Sequence, residues 1–292
     1  MADIGKIFTA EPRSLADFLS TNDQGCFIPS YQRAYSWDVK DVGRLFEDAI
    51  DGLRRLVDHP NALRFLGTII AVDEKGVVPV DEPMDTELPN VVMTIIDGQQ
   101  RLCTLLAVNI ILHDLILRQR ATIQTESDSE RLLQIIDDYL FDLQKTFRFE
   151  GRPSASLWRN YPRVIRAYED QWARHQSNAR YESPVAKLIW NYIEHREADP
   201  SGGQEFCFGS DAPSSNPEPG QPSLEAVIAY IRTAASQIAD GYFDDQVEFP
   251  TVEQLISGPV QAEGFWADRF PVQALAYINA HPDATSPALR LM

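Results

Sequence analysis

The run from Leu102 to Leu117 is the longest apolar stretch in the chain, and it constrains the fold more than any other feature. Thr104, Asn109, His113 and Asp114 interrupt it. A membrane span needs about 20 predominantly apolar residues, so the run reads as a buried helix. Other apolar elements must cover that helix. The chain has 292 residues to do so, and at roughly 150 residues per domain this allows one large domain or two small ones.

Several segments can supply the cover. Residues 14–19 read as a short helix, and Phe27-Ile28 as a short strand ended by Pro29. Residues 39–57 carry Val39, Val42, Leu45, Phe46, Ala49, Ile50 and Leu53 at amphipathic helical spacing, with Asp38 or Ser36 as cap. Residues 65–72 (FLGTIIAV) and 91–96 (VVMTII) are short, β-branched apolar runs that read as buried strands. Residues 77–80 offer a third strand, which Pro79 restricts to an edge. Helical patterns follow near 130–145, 156–175, 184–195 and 224–239, with weaker helical pieces after Thr251 and Pro271. Residues 198–223 are rich in Pro, Ser and Gly and read as a flexible loop. The fold class expected is α+β, a small α/β unit over 1–120 followed by a mostly helical region over 121–292.

Charge narrows the partners. The formal net charge is −17, and a field of that sign repels phosphate and anionic membrane surfaces. The distribution is uneven, however. Residues 143–180 hold eight Lys/Arg, among them Arg148, Arg152, Arg159 and Arg163, against three acids. Phe147, Phe149, Trp158, Tyr161, Tyr168 and Trp172 are interleaved with them, a composition suited to phosphate contacts and base stacking. The same residues also suit amphipathic helices with aromatics inside and arginines outside. Cys26, Cys103 and Cys207 lie far apart, and the first residues lack the apolar core of a signal peptide. A soluble, cytoplasmic protein with no membrane partner is expected.

The local feature richest in chemistry is Ile95-Ile96-Asp97-Gly98-Gln99-Gln100-Arg101, where an apolar strand passes through glycine into the long helix. Such a junction presents helix N-terminal N–H groups to an anion. Gly98 permits close approach, Gln99 and Gln100 offer amides, and Arg101 offers a planar fork matched to phosphate. A capped turn whose arginine pairs with a core carboxylate suits the same residues. A second feature is Tyr31-Gln32-Arg33-Ala34-Tyr35-Ser36-Trp37 at the entry of the 39–57 helix. Arg33 can be a second cationic clamp, with Tyr31 and Tyr35 stacking a base or donating to oxygen. Alternatively, Tyr35 and Trp37 staple the helix entry while Arg33 pairs with Asp41 or Glu47.

Other chemistries find little support. The sequence has no GxxxxGK[ST] loop, no GxGxxG fingerprint and no GxSxG elbow. Its five histidines show no metal-ligand spacing. Cys103, within the apolar helix, suits packing better than nucleophilic catalysis.

Taken in order, IPSYQRAYSW, FLGTIIAV and IIDGQQRLCTL resemble the N-terminal domain of GmrSD-type restriction systems. That family, also called domain of unknown function 262, lies in the ParB/sulfiredoxin-like superfamily. The resemblance covers about residues 14–120 well and the following half loosely. Cys103 stands where the family usually has Thr, a departure that puts one phosphate-binding hydroxyl in question, although Thr104 is adjacent.

The resemblance implies a nucleoside triphosphatase, using GTP or a similar nucleotide, in an anti-phage system that senses modified DNA such as phosphorothioate DNA. It ties hydrolysis to the DGQQR residues, here Asp97 to Arg101. The expected arrangement has Arg101, Arg33 and the Gly98 amide on the triphosphate, with Tyr31, Gln32 and Thr104 beside them. Asp97 would hold Mg²⁺, and Gln99 or Gln100 would orient the attacking water. Arg148, Arg152, Arg159 and Arg163 would contact DNA. Relatives usually carry an HNH nuclease domain. No His-Asn-His constellation is visible here, so cleavage is expected from a separate nuclease domain or subunit, with homo-oligomer formation a further expectation. The competing expectation is a module that binds modified DNA without hydrolysis and recruits such a nuclease.

Overall fold

A computed structural model describes residues 15–59, 67–73, 89, 91–123, 130–154, 157–173, 178–209, 223–239, 242–243 and 247–248. The chain begins with α1 (Leu15–Leu19), β1 (Gln24–Ile28) and α2 (Val39–Asp58), followed by β2 (Ile70–Asp73), β3 (Val91–Asp97) and α3 (Gln99–Thr122). Next come α4 (Glu130–Phe147), β4 (Arg148–Ser154), β5 (Leu157–Pro162), β6 (Val164–Arg166), β7 (Asp170–Gln171), β8 (Arg180–Tyr181) and α5 (Pro184–Ala198). Helix α6 (Leu224–Ala239) and the short pair β9 (Tyr242–Phe243) and β10 (Val247–Glu248) complete the described elements. The architecture is α+β.

One four-stranded sheet has the order β2-β3-β1-β6. Strand β1 is parallel to β3 and to β6, while β2 runs antiparallel along the edge. The carboxyl ends of β1 and β3 therefore leave the sheet side by side, the place where open α/β sheets gather ligands. Strand β6 comes from beyond residue 160, so the sheet draws on both halves of the sequence.

Helix α3 is the axis of the core. Leu102, Leu106, Ile110 and Ile111 are fully or almost fully buried, enclosed by Cys26, Ile28 and Ile95 of the sheet, Ile189 and Tyr192 of α5, and Val227 and Ile231 of α6. By length and composition it could cross a membrane, but 67% of its most apolar window is buried inside the protein. Asp114, within it, is fully buried and paired with the Arg196 guanidinium. It is a core helix. Helix α2 begins on the expected cap: Asp38 accepts from the N–H groups of Lys40 (2.9 Å) and Asp41 (3.1 Å), completing a capping box.

Three expectations need correction. The helix expected over 156–175 is replaced by β5, β6 and β7. Pro162 has no N–H for a helix interior, and Phe149 of β4 instead stacks on Tyr161 of β5, directly across the hairpin. Phe147, Phe149, Tyr161 and Trp172 are buried, whereas Trp158 and Tyr168 stand exposed. The buried strand expected over 65–72 is not found among its described residues: 67–69 are not strand, β2 starts at Ile70, and Ile70 and Val72 are exposed on the sheet edge, while residues 65–66 lie outside the described residues. Residues 199–209 of the expected loop are packed, with Phe206 and Phe208 against Tyr192. The strand at 77–80, residues 210–222 and the helical pieces after Thr251 and Pro271 lie outside the described residues.

Candidate functional site

The junction between β3 and α3 turns on Gly98, which has φ 86° and ψ 8°. That left-handed conformation favours glycine, and a Cβ there would lie 2.7 Å from the Thr68 carbonyl oxygen. Glycine thus allows the segment before β2 to lie across the helix entry. Arg101, in the first turn of α3, donates from Nη1 to the Thr68 carbonyl at 3.2 Å. Its guanidinium lies flat over Gly67, where a Cβ would meet Arg101 Cζ at 2.3 Å. Arg101 stays half-exposed, with no carboxylate partner among the described residues.

The loop of residues 29–38, which leaves the neighbouring strand β1, is sewn to this helix entry. Gln99 donates to the Arg33 carbonyl at 2.7 Å. Gln100 donates to the Ala34 carbonyl at 3.0 Å and accepts from the Ser36 N–H at 2.7 Å. In the opposite direction, Gln32 donates to the Ile96 carbonyl at 2.5 Å. The Tyr35 and Thr104 hydroxyls are 2.8 Å apart, and Thr104 also donates to the Gln100 carbonyl at 2.9 Å. Burial is the main cause that pushes the Tyr35 phenol far above its ordinary pKa, so it remains a neutral hydroxyl.

These bonds separate residues that frame the site from residues that face it. Gln99, Gln100 and Thr104 are buried. Both functional atoms of the Gln100 carboxamide are engaged by the loop, as is the Gln99 amide nitrogen. This corrects two expectations: Thr104 does not present its hydroxyl to a phosphate, and Gln100 does not hold a water-orienting group in the open. Gln32, half-buried, is likewise a positioning residue through its bond to the Ile96 carbonyl. What faces outward is Tyr31, Arg33 and Asp97, with Arg101 and Gly98 half-exposed. The Arg33 guanidinium and Asp97 carboxylate have no partner among the described residues. Arg33 does not pair with Asp41 or Glu47, although Tyr35 and Trp37 pack against the core.

Sequence reasoning missed Arg166. From β6 it donates to the Gln32 carbonyl at 3.0 Å, anchoring the loop from its other side. Its own N–H donates to Asp170 at 2.7 Å. The signal was obscured because residues 156–175 read as helix. Thr68 and Gly67 were missed too, because only the fold brings them over Arg101.

Cys103 does not stand at the site. It faces the core beside Cys26, and burial pushes each thiol up to about 12. The Thr-to-Cys departure at this position therefore removes no exposed hydroxyl from the junction.

Among the described residues no group of three His, Cys, Asp or Glu side chains can hold a metal ion. Asp97 alone suits Mg²⁺, which commonly takes one or two carboxylates together with substrate phosphates and water.

The expected DNA contacts divide. Arg163 is 2% exposed and donates to the carbonyls of Thr21 (2.9 Å), Gln24 (2.5 Å) and Arg148 (2.8 Å). It ties β1 to the β4–β5 hairpin, which corrects its assignment to DNA. Arg159 on β5 is half-exposed, and Arg152 lies on β4. Arg148 is half-buried and faces a cleft between helices.

The sequence profile described as GmrSD restriction endonuclease, N-terminal domain, matches residues 15–204. No curated protein matches the chain. The profile spans α1 through α5, and so includes the junction, the loop sewn to it and the strand that carries Arg166.

Proposed function

We propose, from the premise that the chain belongs to the family of GmrSD restriction endonuclease N-terminal domains, that its β3–α3 junction binds and hydrolyses a nucleoside triphosphate in response to modified DNA. The observation that carries this reading is the pairing of an unpartnered cation, Arg33, with an unpartnered carboxylate, Asp97, around the N-terminus of α3. Arg101 adds a second guanidinium beside Gly98. Phosphoryl transfer asks mainly for positioning and charge neutralisation. The glutamine stitches provide the positioning, by fixing the main chain that carries Arg33 against the helix that carries Arg101.

In this reading Arg33, Arg101 and the Gly98 N–H hold phosphate oxygens, while exposed Tyr31 stacks on the base. Asp97 holds Mg²⁺, which supplies neutralisation of phosphate charge when bound. Gln99 is buried and its amide nitrogen is engaged by the Arg33 carbonyl, which leaves only its side-chain oxygen to orient water. Arg152 and Arg159 on the β4–β5 hairpin supply the DNA contacts, and Arg148, turned into a cleft between helices, does not. An HNH nuclease, as domain or subunit, performs the cleavage that restriction requires, and GTP and phosphorothioate DNA are the first nucleotide and modification to try.

The test is phosphate release from four nucleoside triphosphates with Mg²⁺, with and without phosphorothioate duplex. Release that Arg101→Ala abolishes while the protein stays folded supports the reading. Wild-type turnover in that variant refutes it. One observation favours a second reading, nucleotide binding without hydrolysis: the Gln100 carboxamide has no free end to orient water. Saturable nucleotide binding with no release in any arm would decide for it.

A further inference from the structure

Helices α3, α4 and α5 enclose a cleft of about 670 Å³ that the junction does not use. His113 lines it, 14 residues beyond Gln99 on α3, which at 1.5 Å per residue is about 21 Å from the junction. Leu117, Leu140 and Phe141 contribute apolar surface to its lining, and Gln144, Arg148 and Arg196 contribute polar groups. Phe141 is 57% exposed, with the Lys145 ammonium 3.9 Å from its ring centroid.

The polar groups are not all satisfied. The half-buried Arg148 guanidinium has no hydrogen bond or ion pair among the described residues, and burial holds it below the usual arginine range, with Glu150 and Glu197 partly opposing. The Gln144 amide likewise has no partner among the described residues. His113 is 4% exposed; its Nδ1 is 2.7 Å from the Tyr192 hydroxyl, while Nε2 has no partner. The Arg196 guanidinium lies over the Tyr192 ring, 5.5 Å from its centroid. Of the three arginines lining the cleft, Arg120 is paired with Asp137 and Arg196 with Asp114, which leaves the Arg148 guanidinium without a partner among the described residues.

We infer that this cleft is a second ligand site, for a small organic acid with one anionic head group on a flat apolar body. The head, a carboxylate, phosphate or sulfonate, meets Arg148 and Gln144, and the body covers Phe141 and Leu140. The inference does not depend on hydrolysis at the junction.

Anilinonaphthalene sulfonate is a suitable probe of this chemistry, and its neutral counterpart N-phenylnaphthylamine lacks only the head group. Titrated into the full chain, the anionic dye should show saturable one-site fluorescence enhancement. Arg148→Gln should weaken it about tenfold or more, the effect of losing a hydrogen-bonded charge. Gln144→Glu should weaken it comparably through repulsion, and binding of the neutral dye should be indifferent to Arg148→Gln. Circular dichroism and thermal melting confirm that each variant is folded. Absence of saturable binding, wild-type affinity in both variants, or loss of binding in Arg101→Ala instead would each overturn the inference.

Discussion

Ser36 and Gln100, 64 residues apart in sequence, are joined by a 2.7 Å hydrogen bond from the Ser36 N–H to the Gln100 side-chain oxygen. With the bond from Gln100 to the Ala34 carbonyl, one buried carboxamide holds two main-chain groups of the loop that carries Arg33. Gln100→Met preserves length and removes both partners. Each buried main-chain group left unpaired costs about 1–3 kcal/mol, so the variant should lose about 2–4 kcal/mol in urea unfolding. Nucleotide binding should weaken as well. Wild-type stability in this variant would show that the loop is held by other means.

Gly67→Ala acts on Arg101 without touching it in sequence. The added Cβ would fall 2.3 Å from Arg101 Cζ, and Gly67 has φ 111°. The variant should remain folded and release phosphate no faster than Arg101→Ala. Retained turnover would mean that the guanidinium acts from a different position.

Arg163 and Arg159 should behave as opposites. Arg163→Met leaves the Thr21, Gln24 and Arg148 carbonyls without their donor and should cost about 3 kcal/mol or more. Arg159→Ala should leave stability within about 0.5 kcal/mol and reduce the salt dependence of DNA binding by about one unit of slope. An unchanged salt slope would remove Arg159 from the interface.

Acid should destabilise the protein through His113. Burial, with Arg148 and Arg196 nearby, pushes its pKa down to about 3 from an ordinary 6.5. The unfolded chain therefore binds the proton more readily, and stability rises with pH across that window. The contribution is complete above about pH 6.5 and declines as pH falls toward 3. Urea midpoints measured between pH 7 and 4 should fall for the wild type and fall less for His113→Gln. Parallel curves would place the acid sensitivity elsewhere.

Much of this site was legible in the sequence because its chemistry is local. Asp97, Gly98 and Arg101 follow from a strand running through glycine into a helix, and the cap at Asp38 from spacing alone. The roles of Gln99, Gln100 and Thr104 were not legible. Residue type advertises what a carboxamide can do, and only the adjacency of β1 and β3 shows that main chain already occupies it. Arg163 misled for a related reason: an arginine in a basic run looks solvated until the fold surrounds it with carbonyls. Arg166 was invisible because residues 156–175 read as one helix, whereas Pro162 ends any helix there and the aromatics before it belong to a hairpin.

Strand β6 carries a consequence for how the protein matures. It pairs with β1, and its Arg166 clasps the loop on which Arg33 sits. During synthesis, β1, β3 and the start of α3 emerge well before the residues that complete their sheet. The nascent chain cannot finish the rim of the β3–α3 junction until translation has passed the hairpin. A ribosome-held fragment ending near residue 120 would present an unclosed sheet edge, a state in which a defence protein is not yet armed.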